Sequence, residues 1–270
     1  MNPLILKLGG ELLETAEGRA RIAALCAKTA PSRPLVVVHG GGRAIDAELA
    51  RRQIAPKKVD GLRVTDPATL EAVVAVLAGS ANTELVAALV AAGVPAVGLT
   101  GVDAALGLAR RSSAHRSTSG TTVDLGQVGD PEKVDASLLT ALLAKGYVPV
   151  LASLGLDAAD RSSVLNVNAD VMACRIASAL NAADLVIAGA TAGVFDESGR
   201  TIDRLDGDGI DALIASGAAT AGMIAKLAAC REALNGGAAT VRIVDGRALG
   251  AAHGVQDAPG TDIVLVGAKV

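Results

Sequence analysis

The segment PLILKLGG, residues 3–10, decides the fold because it joins a short apolar run to a pair of glycines. An apolar run of this length that ends in glycine is typical of a strand buried on both faces. Lys7 lies inside the run, although lysine is rarely buried without a partner. That partner has to come from another part of the chain.

Short runs of β-branched and other apolar residues recur along the whole chain. They are LILKL at 4–8, LVVVH at 35–39, PAVGL at 95–99, VPVLA at 148–152, DLVIA at 184–188, TVRIVD at 240–245 and DIVLV at 262–266. Between most of them lie longer stretches with helical spacing, such as residues 68–90. Buried strands that alternate with helices predict an α/β fold, in which helices cover both faces of a mainly parallel sheet.

One stretch departs from this alternation. Residues 103–135 are richer in Ser, Thr and Arg, which predicts a polar hairpin or an excursion from the core. A weak boundary near residues 155–165 predicts two lobes, residues 1–160 and residues 161–270. Length alone does not decide, since 270 residues suit one large domain or two smaller ones.

The composition of the chain argues against several classes of protein. Hydrophobic residues make up 51% of the chain, which is enough for a large core and argues against disorder. The formal net charge of −3 does not favour a nucleic acid or an anionic membrane as partner. Residues 85–102 carry no charge, but Gly93, Pro95 and Gly98 interrupt them. We therefore expect a helix and a buried strand there rather than a membrane span.

The cysteines and the first residues favour a cytoplasmic protein. Cys26, Cys174 and Cys230 are scattered without a C-x-x-C pair, so we expect buried free thiols in a reducing compartment. The first residues do not combine a basic region with a long apolar stretch, so no signal peptide is predicted.

Two glycine-rich turns each lie between a predicted strand and a predicted helix. The first is KLGG at 7–10, with a helix expected to begin near Glu11, and the second is VVVHGGGRAID at 36–46. Such turns either close a bend or leave backbone N–H groups free to bind an anion. Two of them at the carboxyl ends of strands in one sheet favour a ligand crevice. Neither is a Walker A loop or a dinucleotide fingerprint, because Ile45 stands in place of the last glycine.

The segment LNVNAD, residues 165–170, has a structural interpretation and a functional one. Asn168 suits an N-cap, and Asp170 suits the first helical turn, where the helix dipole favours a carboxylate. This structural interpretation does not explain the second amide, Asn166.

Lys226 and Arg63 also have two interpretations, whereas His39 has one. Lys226 falls near the start of a predicted helix, which is unfavourable for a cation unless it faces an anion. Arg63 is either a surface arginine or a bidentate clamp for a carboxylate. His39 is expected to be structural, because the chain has only three histidines and no motif for a metal site or a Ser-His triad.

Taken in order, KLGG, VVHGGG, GLRVT, NVNAD and GMIAK resemble the amino acid kinase family, and within it most closely the N-acetylglutamate kinases. The similarity runs almost from end to end. It implies a three-layer αβα sandwich of the carbamate kinase type with an open, mainly parallel sheet. It also implies phosphoryl transfer from ATP to the side-chain carboxylate of N-acetyl-L-glutamate, the second step of arginine biosynthesis. The N-terminal lobe would bind the acceptor and the C-terminal lobe ATP, with Mg²⁺ carried by the nucleotide and no metal site on the protein.

The resemblance assigns roles to individual residues. Lys7 and Lys226 would flank the transferred phosphoryl group, and Asp170 would hold both lysines. The residues implied for phosphate and acceptor binding are Gly9, Gly10, Gly41, Gly42, Arg63 and Asn166. The glycines would donate backbone N–H groups, Arg63 would clamp the α-carboxylate, and Asn166 would bind the acetylamino group. No general base is required, because the attacking group is already a carboxylate.

The chain departs from the family's pattern in the lobe expected to hold ATP. The family has a Ser/Thr-Asp-Val segment where this chain has Gly189 and Ala190, so a hydroxyl and an acidic side chain are missing. Ala221 replaces a glycine or aspartate of the family. The nucleotide-binding residues implied are Ala190, Gly193, Phe195 and Thr220. Lost contacts would weaken ATP binding, since each hydrogen bond contributes roughly 0.5–1.5 kcal/mol.

Two other functions stay open from the sequence. One is a related kinase acting on acetylaminoadipate or a carrier-linked glutamate, because one methylene changes pocket binding by only about 1–3 kcal/mol. The other is a catalytically silent homologue that serves as a binding or regulatory subunit. The resemblance further implies a homodimer that arginine does not inhibit.

Overall fold

The centre of the fold is an open sheet of eight strands. The computed structural model describes residues 2–112, 114–117, 120–217, 219, 221–249, 255 and 258–265. Within them the strands are β1 (Leu4–Leu8), β2 (Leu35–His39), β3 (Lys58–Val59), β4 (Leu62–Arg63), β5 (Ala96–Thr100), β6 (Gly107–Arg111), β7 (His115–Arg116), β8 (Thr122–Val123), β9 (Val128–Val134), β10 (Val148–Ala152), β11 (Leu154–Asp157), β12 (Val164–Val167), β13 (Asp184–Gly189), β14 (Arg204–Leu205), β15 (Thr240–Asp245) and β16 (Gly260–Ile263).

The helices separate the strands of the sheet, as the alternating pattern predicts. They are α1 (Ala16–Thr29), α2 (Gly42–Arg51), α3 (Pro67–Val74), α4 (Asn82–Ala91), α5 (Ser137–Ala144), α6 (Ala169–Ala179), α7 (Gly207–Ala215) and α8 (Ala221–Asn235). Capping side chains fix several starts: Asp66 accepts from the Thr69 N–H at 2.8 Å, and Asp206 accepts from the Gly209 N–H at 2.9 Å.

The sheet order is β14-β16-β15-β13-β1-β2-β10-β5, and neighbouring strands are parallel except β15 and β16. Four neighbouring strands of the sheet, β1, β2, β10 and β5, come from the first 152 residues. The other four strands come from residue 184 onward. The chain therefore folds away from β1 in both directions. Such a point leaves a crevice at the carboxyl ends of the strands, where ligands bind in open α/β sheets.

The two faces of the sheet belong to separate cores. Helices α5, α6, α7 and α8 pack on the face that includes Ile5, whereas α1 and α4 pack on the face that includes Leu4 and Leu6. Because successive side chains of a strand alternate between faces, Lys7 lies on the same side as Ile5, towards α6 and α8. The predicted αβα sandwich is confirmed.

The polar stretch after residue 103 forms an excursion from the core, as expected. Strands β6, β9, β11 and β12 close into a small barrel, and β7 pairs with β8 in a short hairpin. Closure requires β11 and β12 from beyond residue 150, so the polar stretch does not form the excursion alone.

Two predicted element boundaries are wrong. No α-helix begins near Glu11: residues Gly10–Leu12 form a single 3₁₀ turn, and α1 starts only at Ala16, after the N-cap Thr15. The last strand ends at Ile263, whereas the apolar pattern predicted residues 262–266.

The segment Pro67–Ala91 is continuously helical, with a π-helical stretch at Ala75–Ala81, and has the length and composition of a membrane span. Its most apolar window has a mean hydropathy of 1.8, and 33% of that window is buried. Core helices pass the same test. In this helix the buried Asn82 donates to the Val150 carbonyl of the sheet, which makes the helix a layer of the sandwich. The expected helix and strand across residues 85–102 are present, but the strand is not buried as predicted, because β5 is the edge strand of the sheet and is half-exposed.

Candidate active site

A cavity of about 290 Å³ opens at the carboxyl ends of β1 and β2. The predicted site residues that line it are Lys7, Gly9, Gly10, Gly41, Gly42, Arg63, Asn166 and Asp170. They come from positions between 7 and 170, and only the fold brings them together.

Asp170 joins the two predicted catalytic lysines. The Lys7 Nζ lies 2.7 Å from Asp170 Oδ1, and the Lys226 Nζ lies 3.4 Å from Oδ2. All three side chains are largely buried, with exposed fractions of 9%, 15% and 18% for Lys7, Asp170 and Lys226. Burial works to raise the pKa of Asp170, but the two ammonium groups outweigh it and lower the pKa below its ordinary value. The carboxylate is therefore ionised at neutral pH.

Local structure places these three groups. Asn168 caps α6 by accepting from the N–H groups of Asp170 at 2.8 Å and Val171 at 3.2 Å, as predicted. Asp170 thus lies in the first turn, where the helix dipole stabilises its charge. Helix α8 packs on α6 and carries Lys226 to the second oxygen.

The Lys7 ammonium keeps hydrogen-bonding capacity for a ligand. Its 2.7 Å contact with Asp170 Oδ1 is an ion pair without hydrogen-bond alignment, and that oxygen has no hydrogen-bond donor among the described residues. An ammonium group has three N–H donors. Lys7 can therefore bind another anion while it stays paired with Asp170.

The two glycine turns pack directly against each other in the wall of the cavity. A β-carbon on Gly10 would lie 2.7 Å from the Cα of Gly41 and 3.0 Å from the backbone nitrogens of Gly41 and Gly42. Within the described part of the chain, the N–H groups of these three glycines have no acceptor. Helix α2 starts at Gly42, so its dipole reinforces these N–H groups as an anion site.

Gly9 does not contribute its N–H group to this site, contrary to the prediction. The Gly9 N–H donates to the Ala188 carbonyl at 2.8 Å, which joins the end of β1 to β13. Gly9 lines the cavity with its backbone, but its donor is already used.

Arg63 is buried, and its guanidinium is divided between two tasks. Its Nη2 donates to the Gly42 carbonyl at 3.0 Å and pairs with Asp46 Oδ1 at 2.6 Å, so it ties β4 to α2. Its Nη1 is buried and has no partner among the described residues. An unpaired buried donor on a cation is costly unless a ligand satisfies it. This favours the carboxylate clamp over a surface arginine.

Sequence reasoning missed the residues that hold Arg63. Asp46 also receives a 2.7 Å hydrogen bond from Lys58, another residue of the cavity wall. Burial works to raise the pKa of Asp46, but hydrogen bonds from Lys58 and Arg63 lower it overall. No motif marks Asp46 or Lys58, because their role depends on a contact between α2 and the β3–β4 hairpin.

Asn166 on β12 also lines the cavity and is linked to Arg63 through Thr65. Its Nδ2 donates to the buried Thr65 Oγ1 at 3.1 Å, and Thr65 in turn donates to the Arg63 carbonyl at 2.9 Å. This chain of bonds fixes the amide plane. The amide oxygen of Asn166 accepts no hydrogen bond from the described residues, so it is available to an N–H group of a ligand.

His39 is a structural residue, in agreement with the prediction. It is fully buried, its Nδ1 lies 3.1 Å from the Gly40 carbonyl, and its Nε2 lies 3.0 Å from the Asn82 Nδ2. Burial lowers the pKa of His39 to about 4. The ring is therefore neutral and donates from Nδ1 to the Gly40 carbonyl, which stabilises the second glycine turn.

The residues predicted to bind a nucleotide do not line this cavity. Ala190 follows β13 directly, and Phe195 is 42% exposed. Gly193 has φ of 101°, and a β-carbon there would lie 2.5 Å from Thr261 Oγ1, so the turn itself requires glycine. Thr220 lies outside the described residues.

The described residues hold no group of three or more His, Cys, Asp or Glu side chains arranged for a metal ion. The arrangement as a whole is suited to anions instead. The Lys7 ammonium, the N–H groups of Gly10, Gly41 and Gly42 and the unpaired nitrogen of Arg63 line one cavity, which fits a ligand with several negative charges. Lys226 does not line the cavity itself and is joined to it through Asp170.

Comparisons with known proteins agree with this chemistry. A model of the amino acid kinase family matches residues 2–245. An acetylglutamate kinase from Symbiobacterium thermophilum is 42% identical over 250 residues, which cover 90% of this chain and 84% of that protein. An acetylglutamate kinase from Methanopyrus kandleri is 40% identical over 236 residues, covering 86% of this chain and 91% of the relative. Among solved structures, N-acetylglutamate synthase from Neisseria gonorrhoeae superposes with a TM-score of 0.81 at 24% identity, over 97% of this chain and 59% of the synthase. At that identity the synthase shows the fold alone.

Proposed function

The chain belongs to the amino acid kinase family, and we propose that it transfers the γ-phosphoryl group of ATP to the side-chain carboxylate of N-acetyl-L-glutamate. The observation that carries the proposal is the pairing of Lys7 and Lys226 on one carboxylate, beside the unpaired nitrogen of Arg63. The product would be an acyl phosphate, as arginine biosynthesis by the acetylated route requires.

The acceptor is held by Arg63 and Asn166. The free Nη1 of Arg63 donates a hydrogen bond to the α-carboxylate. The free amide oxygen of Asn166 accepts a hydrogen bond from the N–H of the acetylamino group. Because Thr65 fixes one of these groups and Asp46 the other, the acceptor is oriented with little rearrangement of the protein.

The phosphoryl group passes between the two lysines. Lys7 and Lys226 neutralise the negative charge that shifts during transfer, and the N–H groups of Gly10, Gly41 and Gly42 bind the oxygens of the transferred group and of the acceptor carboxylate. Asp170 keeps both ammonium groups in place and offsets their mutual repulsion. The acceptor carboxylate is already ionised at neutral pH, so no general base takes part.

ATP would bind to residues 161–270, with the acceptor mainly on residues 1–160 and Asn166 as its one contact from the second lobe. We assign its contacts to the segment after β13, with Ala190, Gly193 and Phe195, and to Thr220 before α8. Mg²⁺ would supply charge neutralisation for the phosphates, and it would arrive mainly as the complex with ATP.

We propose a homodimer located in the cytoplasm. Strand β5 is the open edge of the sheet and is half-exposed along its length, and Val90 on the neighbouring helix is 54% exposed. Pairing with a second copy of the chain would cover an open apolar edge of this kind. The three cysteines are free and buried, which fits a reducing compartment. Light scattering after gel filtration tests the dimer, and a monomer or hexamer would contradict it.

An ADP-release assay with purified protein tests the proposed function. N-acetyl-L-glutamate, its one-carbon-longer analogue and a no-acceptor blank are compared, and hydroxylamine traps the acyl phosphate. We expect ADP and hydroxamate in equal amounts with N-acetyl-L-glutamate. Turnover only with the longer analogue would reject the proposed acceptor, and turnover with neither by a folded protein would show a silent homologue.

A pair of lysine variants links that activity to the site. Lys226→Ala should lower kcat by about 100-fold or more, because a charge at the transferred group is lost. Lys145→Ala, on the exposed turn after α5, should leave kcat unchanged. An equal effect of the two variants would separate the activity from this cavity.

A further inference from the structure

The hydroxyl group of Ser153 has no role in the site described so far. Ser153 follows β10 directly, is only 2% exposed and lines the same cavity as Lys7 and Asn166. Its Oγ donates no hydrogen bond to the described residues and accepts none from them. Buried hydroxyl groups are normally hydrogen-bonded, so one without a partner in a cavity wall indicates a ligand that pairs with it.

Ser153 lies at the junction between the central sheet and the barrel. It is the single residue between β10, a strand of the sheet, and β11, a strand of the barrel. Its carbonyl accepts from the Val167 N–H at 3.1 Å, and the next residue, Leu154, pairs with Asn166 across β11 and β12. Ser153 is therefore adjacent to Asn166, whose amide oxygen we assign to the acetylamino N–H of the acceptor.

The acetylamino group of the acceptor needs two partners, and only one has been assigned. A secondary amide has one N–H donor and one carbonyl acceptor. The N–H is assigned to Asn166, whereas the carbonyl oxygen has no donor so far. A carbonyl oxygen that is buried without a hydrogen bond costs about 1–3 kcal/mol, so a site that binds this group tightly has to supply a donor.

The charged donors of the cavity suit the charged groups of the substrates. The Nη1 of Arg63 is assigned to the α-carboxylate. The Lys7 ammonium and the glycine N–H groups are assigned to the phosphoryl group and the side-chain carboxylate. Lys58 already donates to Asp46 at 2.7 Å. The acetyl carbonyl is neutral and is left for a neutral donor.

Two side chains of the cavity wall offer a neutral donor without a partner among the described residues: Ser153 with its hydroxyl and Asn168 with its Nδ2. Asn168 caps α6 and lies next to Asp170, the carboxylate that pairs with both lysines. It therefore borders the phosphoryl site, whereas Ser153 lies beside Asn166. The position and the burial of the Ser153 hydroxyl favour it as the donor to the acetyl carbonyl.

We propose that the Ser153 hydroxyl donates a hydrogen bond to the acetyl carbonyl oxygen of the acceptor. This inference rests on the proposed kinase function, since it needs N-acetyl-L-glutamate in the cavity. Ser153 and Asn166 then bind the two polar atoms of the acetylamino group. Ser153 is thereby a determinant of the selection of N-acylated acceptors rather than of phosphoryl transfer.

Calorimetric titration with N-acetyl-L-glutamate tests the inference without turnover. Ser153→Ala should raise the Kd by about tenfold, because the buried carbonyl loses its hydrogen bond. Ser153→Thr, which keeps a hydroxyl group, should recover part of the loss. In the kinase assay, kcat at saturating acceptor should stay within about twofold, since the bond is made equally in the ground state and in the transition state.

Isotope-edited infrared spectroscopy of the bound acceptor identifies the bonded oxygen. A hydrogen bond lowers the stretching frequency of a carbonyl. An acetyl carbonyl labelled with carbon-13 should therefore absorb at a higher frequency in Ser153→Ala than in the unmodified protein. The same label in the side-chain carboxylate should show no shift between the two proteins.

Ser32→Ala is the matched control. Ser32 is exposed after α1, where its Oγ donates to the Thr29 carbonyl at 2.9 Å. It precedes the amino end of β2, whereas the cavity opens at the carboxyl ends of the strands. Its variant should bind N-acetyl-L-glutamate as the unmodified protein does.

Two outcomes would overturn the inference. One is an unchanged acetyl carbonyl frequency in Ser153→Ala, whatever its Kd. The other is a fall in kcat with an unchanged Kd, which would place the hydroxyl at the transferred group.

The outcome is separate from that of the kinase assay. Weaker binding by Ser153→Ala with a shifted carbonyl band, but no turnover by the unmodified protein, would retain the role of Ser153 and reject phosphoryl transfer. Failure of the unmodified protein to bind N-acetyl-L-glutamate would reject both.

Discussion

We expect the protein to lose stability between pH 7 and pH 4 because of a single buried ring, that of His39. The folded protein lowers the pKa of His39 from 6.5 to about 4, because burial disfavours the imidazolium and outweighs the opposing hydrogen bond to Gly40. Protonation would also set Nε2–H against the Nδ2 of Asn82, which is itself a donor. In the unfolded chain the ring takes up a proton near pH 6.5, so the unfolded state binds more protons throughout this interval.

The size of the effect follows from the two pKa values. A difference of about 2.5 pKa units at 1.36 kcal/mol per unit is worth about 3 kcal/mol of unfolding free energy. That stability is fully present above pH 6.5, falls as the pH drops, and is fully lost below about pH 4. At pH 5 the loss relative to pH 8 is about 2 kcal/mol. The carboxyl groups of Asp46 and Asp170 have lowered pKa values and titrate below this interval.

Urea unfolding at pH 8 and pH 5 measures this loss. The unmodified protein should lose about 2 kcal/mol on acidification, whereas His39→Gln, which is less stable at pH 8, should lose far less. His115→Gln, on the surface hairpin, serves as control and should retain most of the loss. The reasoning is refuted if His39→Gln and the unmodified protein lose the same free energy, or if the His39 ring titrates near 6.5 by NMR in the folded state.

Three further predictions concern the site and the core. Arg63→Ala should raise the KM for N-acetyl-L-glutamate by about 10- to 100-fold, since hydrogen bonds to charged groups are worth roughly 1.5–3 kcal/mol; an unchanged KM would remove its assigned role. Gly10→Ala should lower kcat/KM by about 100-fold, because its β-carbon would meet Gly41 and displace the facing turn, while Gly79→Ala, with open space around its β-carbon, should not. The thiols should resist iodoacetamide at pH 8 in the folded protein, since all are buried and burial raises the pKa of Cys26 to about 12; rapid alkylation of the folded state would contradict this.

The sheet could be predicted from the sequence because its strands are buried on both faces. Such strands are continuous apolar runs, and the segments at 4–8, 35–39, 148–152 and 240–245 match the observed strands residue for residue. The last strand was placed too late, because the apolar pattern of DIVLV continues past Ile263, the end of the observed strand. Closure of the barrel by β6, β9, β11 and β12 depends on long-range pairing, which has no local signature.

The site was predictable where a motif carries a backbone requirement, and less so where it depends on side-chain contacts. Gly10 and the NVNAD segment are local features of turns and caps, and the structure places them in the cavity as expected. Asp46 was missed because its contacts with Arg63 and Lys58 join elements that are separate in the sequence. The hydrogen bond that occupies the Gly9 N–H could not be predicted either, since its acceptor, the Ala188 carbonyl, is nearly 180 residues away in the sequence.

The hydrogen bonds of the buried polar side chains also distinguish structural residues from candidate ligand-binding residues. His39 and Asn82 satisfy each other, and the ring has no free nitrogen for catalysis. Arg63 and Asp170, by contrast, are buried and leave a polar atom without a hydrogen-bond partner among the described residues. Buried polar atoms are normally hydrogen-bonded, and Arg63 and Asp170 are among the few described residues that depart from this rule and also line the cavity.

A crystal structure with ADP, Mg²⁺, aluminium fluoride and N-acetyl-L-glutamate tests the central claim most directly. The fluoride group mimics the phosphoryl group in transfer. The account predicts that the Nζ atoms of Lys7 and Lys226 lie on either side of it at about 3 Å, with the N–H groups of Gly10 and Gly41 directed at its edge. Either lysine turned to solvent, or the fluoride group bound elsewhere, would contradict the account.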